Sequence, residues 1–213
     1  MTPWTIHQLL EATQGQLVRG RPIGEAAGVS IDSRSLTRGQ TYVAIRGLRF
    51  DGHRFLEDAA HHGASSLIVS HLVTPTNGSS SLPTILVDDT TEALADLARF
   101  HRRLFGRSVV AVTGSCGKTT TKELLAHLLG EPDTVLKTHG TQNNHIGVPL
   151  TLLRMAPGHA HAVVELGTNH PGEIAALASI VEPDTALITN VGPSHLEFYG
   201  KQMEELHEKH SQQ

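Results

Sequence analysis

The chain has 213 residues, a net charge of −4 and only 4% aromatic residues, which together argue against a nucleic-acid-binding surface. One cysteine excludes an internal disulfide and suits a reducing compartment, and Met1–Leu10 lacks the pattern of a signal peptide. Because no apolar run approaches the roughly 20 residues that span a bilayer, we expect a cytoplasmic protein without membrane insertion.

The N-terminal part of the chain alternates helical and strand patterns. Trp4, Ile6 and Leu9 recur at helical spacing and predict a helix over Thr2–Gly15. Short apolar runs and a second helical pattern predict three strands and a helix: Val29–Ile31, Thr41–Ile45, His53–His62 (helix) and Ser66–Val69. Residues 74–83 form the clearest loop. We therefore expect a small α/β domain over residues 1–84.

From residue 85 onward, strands and helices alternate, and the strands are apolar throughout. Such strands are typical of a parallel sheet that helices cover on both faces. Ligands in that architecture bind beyond the carboxyl ends of the strands. We therefore expect a second α/β domain over residues 85–213. Its predicted elements are Ile85–Val87, Thr91–Leu104 (helix), Val109–Val112, Lys118–Leu129 (helix), Thr134–Leu136, Ala162–Leu166, Glu173–Val181 (helix) and Ala186–Asn190.

Residues 113–120, Thr-Gly-Ser-Cys-Gly-Lys-Thr-Thr, form a phosphate-binding loop between a strand and a helix. Backbone amides at such a turn attract phosphate, Lys118 adds a positive charge, and the Thr119 hydroxyl suits Mg²⁺. The usual signature has glycine where this chain has Val112. The leucines 124, 125, 128 and 129 are expected on one face of the following helix. The predicted nucleotide-binding residues are Gly114, Ser115, Cys116, Gly117, Lys118, Thr119 and Thr120.

Three further polar segments each allow two interpretations. Glu165 ends an apolar strand, and its carboxylate either holds Mg²⁺ or is a partly exposed strand end. His195 is either a metal ligand or a structural loop histidine. Asn143 and Asn144 precede an apolar run, where they either bind a ligand or form an Asx-type turn. Pattern alone leaves these alternatives open.

Two short polar sequences in the N-terminal part are candidate anion sites. Ser33 and Arg34 follow a predicted strand, and their hydroxyl and guanidinium groups could bind a phosphate or pyrophosphate. Asp51, Gly52 and His53 follow the next strand. Turn-forming aspartate and glycine explain both sequences about as well.

Taken together and in this order, these motifs resemble those of the Mur ligase family. The resemblance covers residues 1–209, and in that family the phosphate loop also lacks the first glycine, as at Val112. It implies a UDP-binding N-terminal domain and a P-loop ATPase-type central domain. The segments that carry it are Asp32–Arg34, Asp51–His53, Thr113–Glu123, Asn143–Leu152, Glu165–Ile174 and Asn190–Glu197.

The resemblance implies an ATP-dependent ligase of peptidoglycan precursor synthesis. In the favoured member, ATP phosphorylates the carboxylate of UDP-N-acetylmuramoyl-tripeptide, and the amine of D-alanyl-D-alanine displaces the phosphate. The alternative member adds the third peptide residue instead. Residues 121–123, 143–149 and 165–167 favour dipeptide addition. A folylpolyglutamate or cyanophycin synthetase is a more distant alternative.

The same resemblance assigns roles to individual residues. Thr119 and Glu165 would hold one Mg²⁺, and His195 with Glu165 a second metal. Lys209 matches a lysine that is carbamylated in relatives. The remaining implied assignments are Lys118 on the β- and γ-phosphates of ATP, Asn143 and Asn144 at the nucleotide, and Ser33, Arg34, Asp51, Gly52 and His53 on the UDP portion.

The chain departs from the family after Lys209, where only four residues follow. The last strands of the central domain and the C-terminal ligase domain have no counterpart in the sequence. We therefore expect a fragment, a split subunit or a truncated product. Its exposed apolar sheet edge predicts either marginal stability or a complementing chain. A non-catalytic fragment that binds ATP or a UDP-sugar is the alternative function.

Overall fold

A computed structural model describes residues 4–47, 50–74 and 81–192. The chain forms two compact units: Met1–Gly106 with Leu152–Pro157, and Arg107–Thr151 with the chain from Gly158 onward. The units divide at Gly106 and not near residue 84, because residues 84–86 form an inner strand of the first unit's sheet.

The first unit contains a five-stranded sheet and a small antiparallel pair. The sheet is parallel except for one edge strand, β2, which pairs antiparallel with β7. Its order is β2-β7-β6-β5-β4, with β2 Gln16–Arg19, β4 Val29–Ser30, β5 Thr41–Val43, β6 Ser66–Val69 and β7 Thr84–Leu86. The small pair consists of β1 Trp4–Thr5 and β3 Glu25–Ala26.

The described residues of the first unit contain three α-helices, and a 3₁₀ turn precedes the second of these helices. They are α1 Ile6–Thr13, the 3₁₀ turn Gly52–Phe55, α2 Leu56–His61 and α3 Thr90–Phe105. The first helix begins at Ile6 and not at Thr2, because the Thr5 side chain accepts a hydrogen bond from the Gln8 amide and Gln8 bonds back to the Thr5 amide. This reciprocal cap fixes the helix start.

The second unit contains a four-stranded sheet in which every pair is parallel, as predicted. Its order is β11-β8-β10-β9, with β8 Ser108–Thr113, β9 Val135–Lys137, β10 His161–Glu165 and β11 Thr185–Ile188. The helices are α4 Lys118–Leu129, α5 Gly147–Leu152 and α6 Glu173–Val181. Among the described helices, none is both long and apolar enough to cross a membrane.

The strand register brings the predicted chemistry to one edge of the second sheet. Glu165 of β10 lies beside Val112 of β8, and Ile188 of β11 lies beside Thr113. The loops that follow these three parallel strands therefore leave the sheet at the same edge, where ligands bind in folds of this class.

Helix α4 packs on this sheet with a face that differs from the predicted one. Leu124 and Leu128 are exposed, whereas Ala126 joins the core with Val112 and Val163. The prediction of a single leucine face was wrong. A lysine, Lys122, takes a fully buried position on the inward face.

Candidate functional site

The phosphate loop is held against the end of β11. Gly114 has a φ of +134°, and a Cβ there would lie 2.2 Å from the Thr189 hydroxyl oxygen. Only glycine fits this close approach of two chain segments. Val112, where the strict signature has glycine, lies fully buried in the sheet. The glycine that this loop requires is therefore Gly114, two residues after Val112.

The first turn of α4 presents the predicted phosphate donors. Gly117 precedes the helix in a left-handed conformation, with φ of +82°. The first intrahelical bond runs from the Thr121 amide to the Gly117 carbonyl, so the preceding helical amides have no intrahelical acceptor. The ammonium group of Lys118 donates to the Gly114 carbonyl at 2.7 Å and so folds over the loop. Thr120 is exposed on the same turn.

Two of the other predicted donors have partners in the protein. The Ser115 amide donates to the Asn190 carbonyl at 3.1 Å, and the Cys116 amide donates to Asn190 Oδ1 at 2.9 Å. Ser115 Oγ also accepts from the Gly192 amide at 3.0 Å. The amides of residues 115 and 116 thus fix the shape of the loop, a role of Asn190 that local sequence did not predict.

Glu165 lies directly beside the phosphate loop and is 2% exposed. Its Oε2 accepts a hydrogen bond from the Thr119 hydroxyl at 3.0 Å, and its Oε1 accepts one from the side-chain Nδ2 of Asn143 at 2.9 Å. A buried carboxylate next to a hydroxyl offers the oxygen ligands that Mg²⁺ prefers. The alternative interpretation of Glu165, a partly exposed residue at the end of a strand, is therefore wrong.

The two asparagines of the 143–144 pair do different things. Asn143 reaches Glu165, and Gly167 makes room for it, since a Cβ at Gly167 would lie 2.6 Å from the Asn143 side chain. Asn144 Oδ1 accepts from the amides of Ile146 and Gly147 at 3.1 and 2.9 Å. Asn144 thus forms the Asx-type turn that starts α5, and both asparagines lie in the wall of a cavity beside the phosphate loop. Their contact with a nucleotide stays a prediction.

Lys122 contacts Glu165 from the helix side and was not predicted as a site residue. Its ammonium group lies 3.9 Å from Glu165 Oε2 and 3.1 Å from Glu123 Oε1, and it donates to the Thr138 carbonyl at 2.9 Å. Glu123 also pairs with Lys137, whose hydrogen bond lowers the pKa of the Glu123 carboxyl. The only sequence signal for Lys122 was its place in the motif after the phosphate loop.

A cavity of about 490 Å³ opens beside these residues, with Lys118, Asn143 and residues 167–170 in its wall. Glu173 orders that loop, because its Oε2 accepts from the amides of Asn169 and His170 at 2.6 and 3.0 Å. These backbone hydrogen bonds, that of Asn169 first, hold the pKa of Glu173 at about 2. The loop thus has a defined shape next to the phosphate loop.

In the first unit, the candidate anion residues follow neighbouring parallel strands. Ser33 is 4% exposed, whereas Arg34 is exposed and bonds Asp32 through Nε at 2.9 Å and Nη2 at 2.7 Å. The hydrogen bond from the Arg34 side chain lowers the pKa of Asp32 to about 2. The Arg34 guanidinium is therefore held at the surface in a fixed direction.

The Asp51–His53 turn is packed tightly against β5 and β6. Asp51 Oδ1 lies 2.8 Å from His53 Nδ1, and the Ser70 amide donates to His53 Nε2 at 2.9 Å. Nε2 is therefore the acceptor and Nδ1 carries the proton. Burial lowers the pKa of His53. Gly52 has no room for a side chain, since a Cβ would lie 2.8 Å from the Ile45 backbone.

Asp51 and His53 also form a possible metal-binding group with His71, whose ring stacks on His53 at 3.9 Å between centroids. Both nitrogens of His53 already have protein partners, so a metal would have to displace one. The geometry instead fits a rigid turn. The predicted residues His195 and Lys209 lie outside the described residues, and their roles stay predictions.

A phosphate loop, a carboxylate at the next strand's end and a parallel sheet define a nucleotide-binding α/β protein. Two family descriptions match this chain: "Mur ligase family, catalytic domain" over residues 25–102 and "Mur ligase middle domain" over residues 112–212. Together these matches cover most of the sequence. The chain belongs to the Mur ligase family.

Its relatives include UDP-N-acetylmuramoyl-tripeptide–D-alanyl-D-alanine ligases. That of Escherichia coli (strain K12) is 43% identical over 196 residues, which are 92% of this chain and 42% of the relative. That of Bacillus subtilis (strain 168) is 43% identical over 81% of this chain and 37% of its own length. The chain thus spans less than half the length of these relatives.

Solved structures agree with this assignment. A crystal structure of MurF from Acinetobacter baumannii matches with a TM-score of 0.85 and 39% identity, over 94% of this chain and 44% of that one. MurF from Thermotoga maritima in complex with ADP matches with a TM-score of 0.71 and 39% identity, over 81% of this chain and 39% of that one.

Proposed function

We propose that this chain supplies the UDP-substrate-binding and ATP-binding parts of a ligase that joins D-alanyl-D-alanine to UDP-N-acetylmuramoyl-tripeptide. The hydrogen bond between Thr119 and Glu165 carries the proposal, because it joins the phosphate loop to a buried carboxylate at 3.0 Å. Relatives named for that activity, at 40 to 43% identity, favour it over addition of the third peptide residue.

The reaction needs two steps because a carboxylate has no good leaving group. The tripeptide carboxylate oxygen attacks the γ-phosphorus of ATP, which gives an acyl phosphate and ADP. The dipeptide amine then attacks the acyl carbon, phosphate leaves with the bonding electrons, and the amine loses a proton as the amide forms.

The residues of the second unit supply the electrostatics of the first step. Lys118 and the amides at the start of α4, which have no intrahelical acceptor, stabilise negative charge on the phosphates. Thr119 and Glu165 fit Mg²⁺, which would neutralise charge on the transferring phosphoryl group. Asn143 fixes the orientation of the Glu165 carboxylate through its hydrogen bond at 2.9 Å.

We assign binding of the UDP portion to the first unit. Arg34 offers a guanidinium group of fixed direction, and residues 51–53 form a rigid turn beyond the end of β5. Guanidinium groups suit pyrophosphate because they donate two parallel hydrogen bonds.

Two further residues complete the proposed metal site. We assign His195 as a ligand of a second metal and Lys209 as a carbamylated metal-binding residue.

A phosphate-release assay with ATP, Mg²⁺ and both substrates tests the activity. Phosphate release that requires D-alanyl-D-alanine, by this chain alone or with a complementing chain, supports the ligase. Nucleotide binding by calorimetry with no turnover in either case supports the alternative, a non-catalytic binding fragment.

Replacing Lys118 tests the nucleotide site itself. Lys118→Ala removes the ammonium group at the phosphates and should weaken ATP binding by about 100-fold or more. Lys137→Ala, at an exposed lysine of the same unit, is the matched control and should leave ATP binding intact. Equal ATP affinity in Lys118→Ala and the unchanged chain would contradict the proposal.

A further inference from the structure

Lys122 is a fully buried charged residue that the proposed reaction leaves without a role. It lies on α4, one helical turn after Thr119, and its side chain is fully shielded from water. A lysine is almost never fully buried unless its charge is paired. Its partners therefore indicate why it is there.

The ammonium group of Lys122 faces the same carboxylate oxygen that Thr119 contacts. Glu165 Oε2 lies 3.9 Å from Lys122 Nζ and 3.0 Å from the Thr119 hydroxyl. With the ammonium group beside it, the charge of this 2%-exposed carboxylate is compensated within the protein.

A second connection from Lys122 to Glu165 runs through Thr138. Lys122 donates to the Thr138 carbonyl at 2.9 Å, and the Thr138 hydroxyl oxygen accepts a hydrogen bond from the Glu165 backbone amide at 2.9 Å. Thr138 is itself fully buried. Lys122 therefore fixes both the charge balance of Glu165 and the backbone from which its side chain extends.

We propose that Lys122 is a positioning residue that holds Glu165 in the orientation needed to bind Mg²⁺ with the nucleotide. This inference rests on the proposed function, since it deepens the role of Glu165 there. Outer contacts of this kind orient metal ligands, and their loss typically lowers metal affinity 10- to 100-fold. Lys122 itself contacts no reacting atom.

The first experiment measures binding of the non-hydrolysable ATP analogue AMP-PNP by calorimetry, with Mg²⁺ and with EDTA. Lys122→Met should reduce the Mg²⁺-dependent gain in affinity about tenfold and leave the EDTA value nearly unchanged. Lys137→Met is the matched control. Lys137 also pairs with Glu123, as Lys122 does, but it is exposed, so the same substitution there leaves the contact between Lys122 and Glu165 in place. A folded Lys122→Met protein that keeps the full Mg²⁺-dependent gain overturns the proposal.

The second experiment is a double-mutant cycle that needs no nucleotide. If Lys122 compensates Glu165, Lys122→Met should shift the urea midpoint about twofold less in a Glu165→Gln background than in the unchanged chain. Equal shifts in both backgrounds overturn the proposal. If Lys122→Met alone fails to fold, a double variant that folds supports the proposal and a double variant that does not fold overturns it.

The two experiments separate the two claims. Absence of AMP-PNP binding in the unchanged chain would contradict the nucleotide site and leave the unfolding cycle to decide the role of Lys122. Binding with Mg²⁺ and additive effects in the cycle would support the nucleotide site and reject the role of Lys122.

Discussion

Gly114 is the residue at which the phosphate loop tolerates no side chain. In Gly114→Ala, the methyl group would lie 2.2 Å from the Thr189 hydroxyl and 2.9 Å from the Asn190 carbonyl, at a φ of +134°. We expect the free energy of unfolding to fall by about 3 kcal/mol, since steric overlap and backbone strain add. Urea unfolding measures this loss.

Gly117 separates the two contributions to that loss. Its φ is +82°, but a Cβ there would meet nothing within 4 Å. Gly117→Ala should therefore lower the free energy of unfolding by only about 1 kcal/mol, from backbone strain alone. Equal losses in the two variants would show that the contact between Gly114 and β11 is unimportant.

At the scale of residues, the sequence predicts groups that belong to a local motif and misses groups whose partners are distant along the chain. The local motif located Lys118 and Thr119, because a phosphate loop is a short continuous segment. It did not locate Lys122 or Asn190, whose roles depend on partners 43 and about 75 positions away along the chain. A lysine that pairs only after folding has no local pattern that distinguishes it from a surface lysine.

At the scale of elements, Glu173 determines the shape of the loop between β10 and α6. Its pKa of about 2 lies below the ordinary value of 4.5, so on acidification the unfolded chain takes up a proton before the folded chain does. The stabilisation from Glu173 is therefore complete above pH 4.5 and is lost as the pH falls towards 2. Its side chain is 40% exposed, so solvent screening limits the effect.

Glu173→Gln keeps an oxygen acceptor for the loop amides but removes the charge. We expect it to unfold about 1 kcal/mol more easily than the unchanged chain at pH 6 and with a smaller difference at pH 3. Urea unfolding at the two pH values measures this. Glu173→Ala, which also removes the acceptor, should lose more at pH 6, and a difference that is constant with pH would contradict the assignment.

The elements that sequence predicted are those with continuous apolar runs or with apolar residues at helical spacing. Strand β2, Gln16–Arg19, was missed because it is a half-exposed edge strand that owes its conformation to pairing with β7. Helix α5 was missed because Pro149 breaks the helical pattern, although proline is tolerated in the first turn of a helix. The spacing of apolar residues predicts neither the pairing of an edge strand such as β2 nor the start of a short helix such as α5.

At the scale of the whole molecule, sequence predicted two α/β units but placed their boundary too early. The loop at residues 74–83 was the strongest break in composition, yet the chain on both sides of it belongs to the first unit. Strand β7 returns to pair with β6 after that loop, and α3 continues the same unit. A loop within a domain and a linker between domains have the same composition, so only pairing distinguishes them.

The first unit should lose stability on mild acidification because it buries histidines. His101 Nε2 lies 2.9 Å from the Met155 carbonyl oxygen, and burial lowers the pKa of His101 below 6.5, as it does for His53. The unfolded chain therefore takes up a proton first as the pH falls below 6.5, where the stabilising contribution begins to be lost. His101→Gln can still donate to Met155, and it should make the free energy of unfolding fall less between pH 7.5 and pH 5 than it does in the unchanged chain. Urea unfolding at the two pH values measures this. An equal fall in the free energy of unfolding in His101→Gln and in the unchanged chain would exclude His101 as the source of the pH dependence.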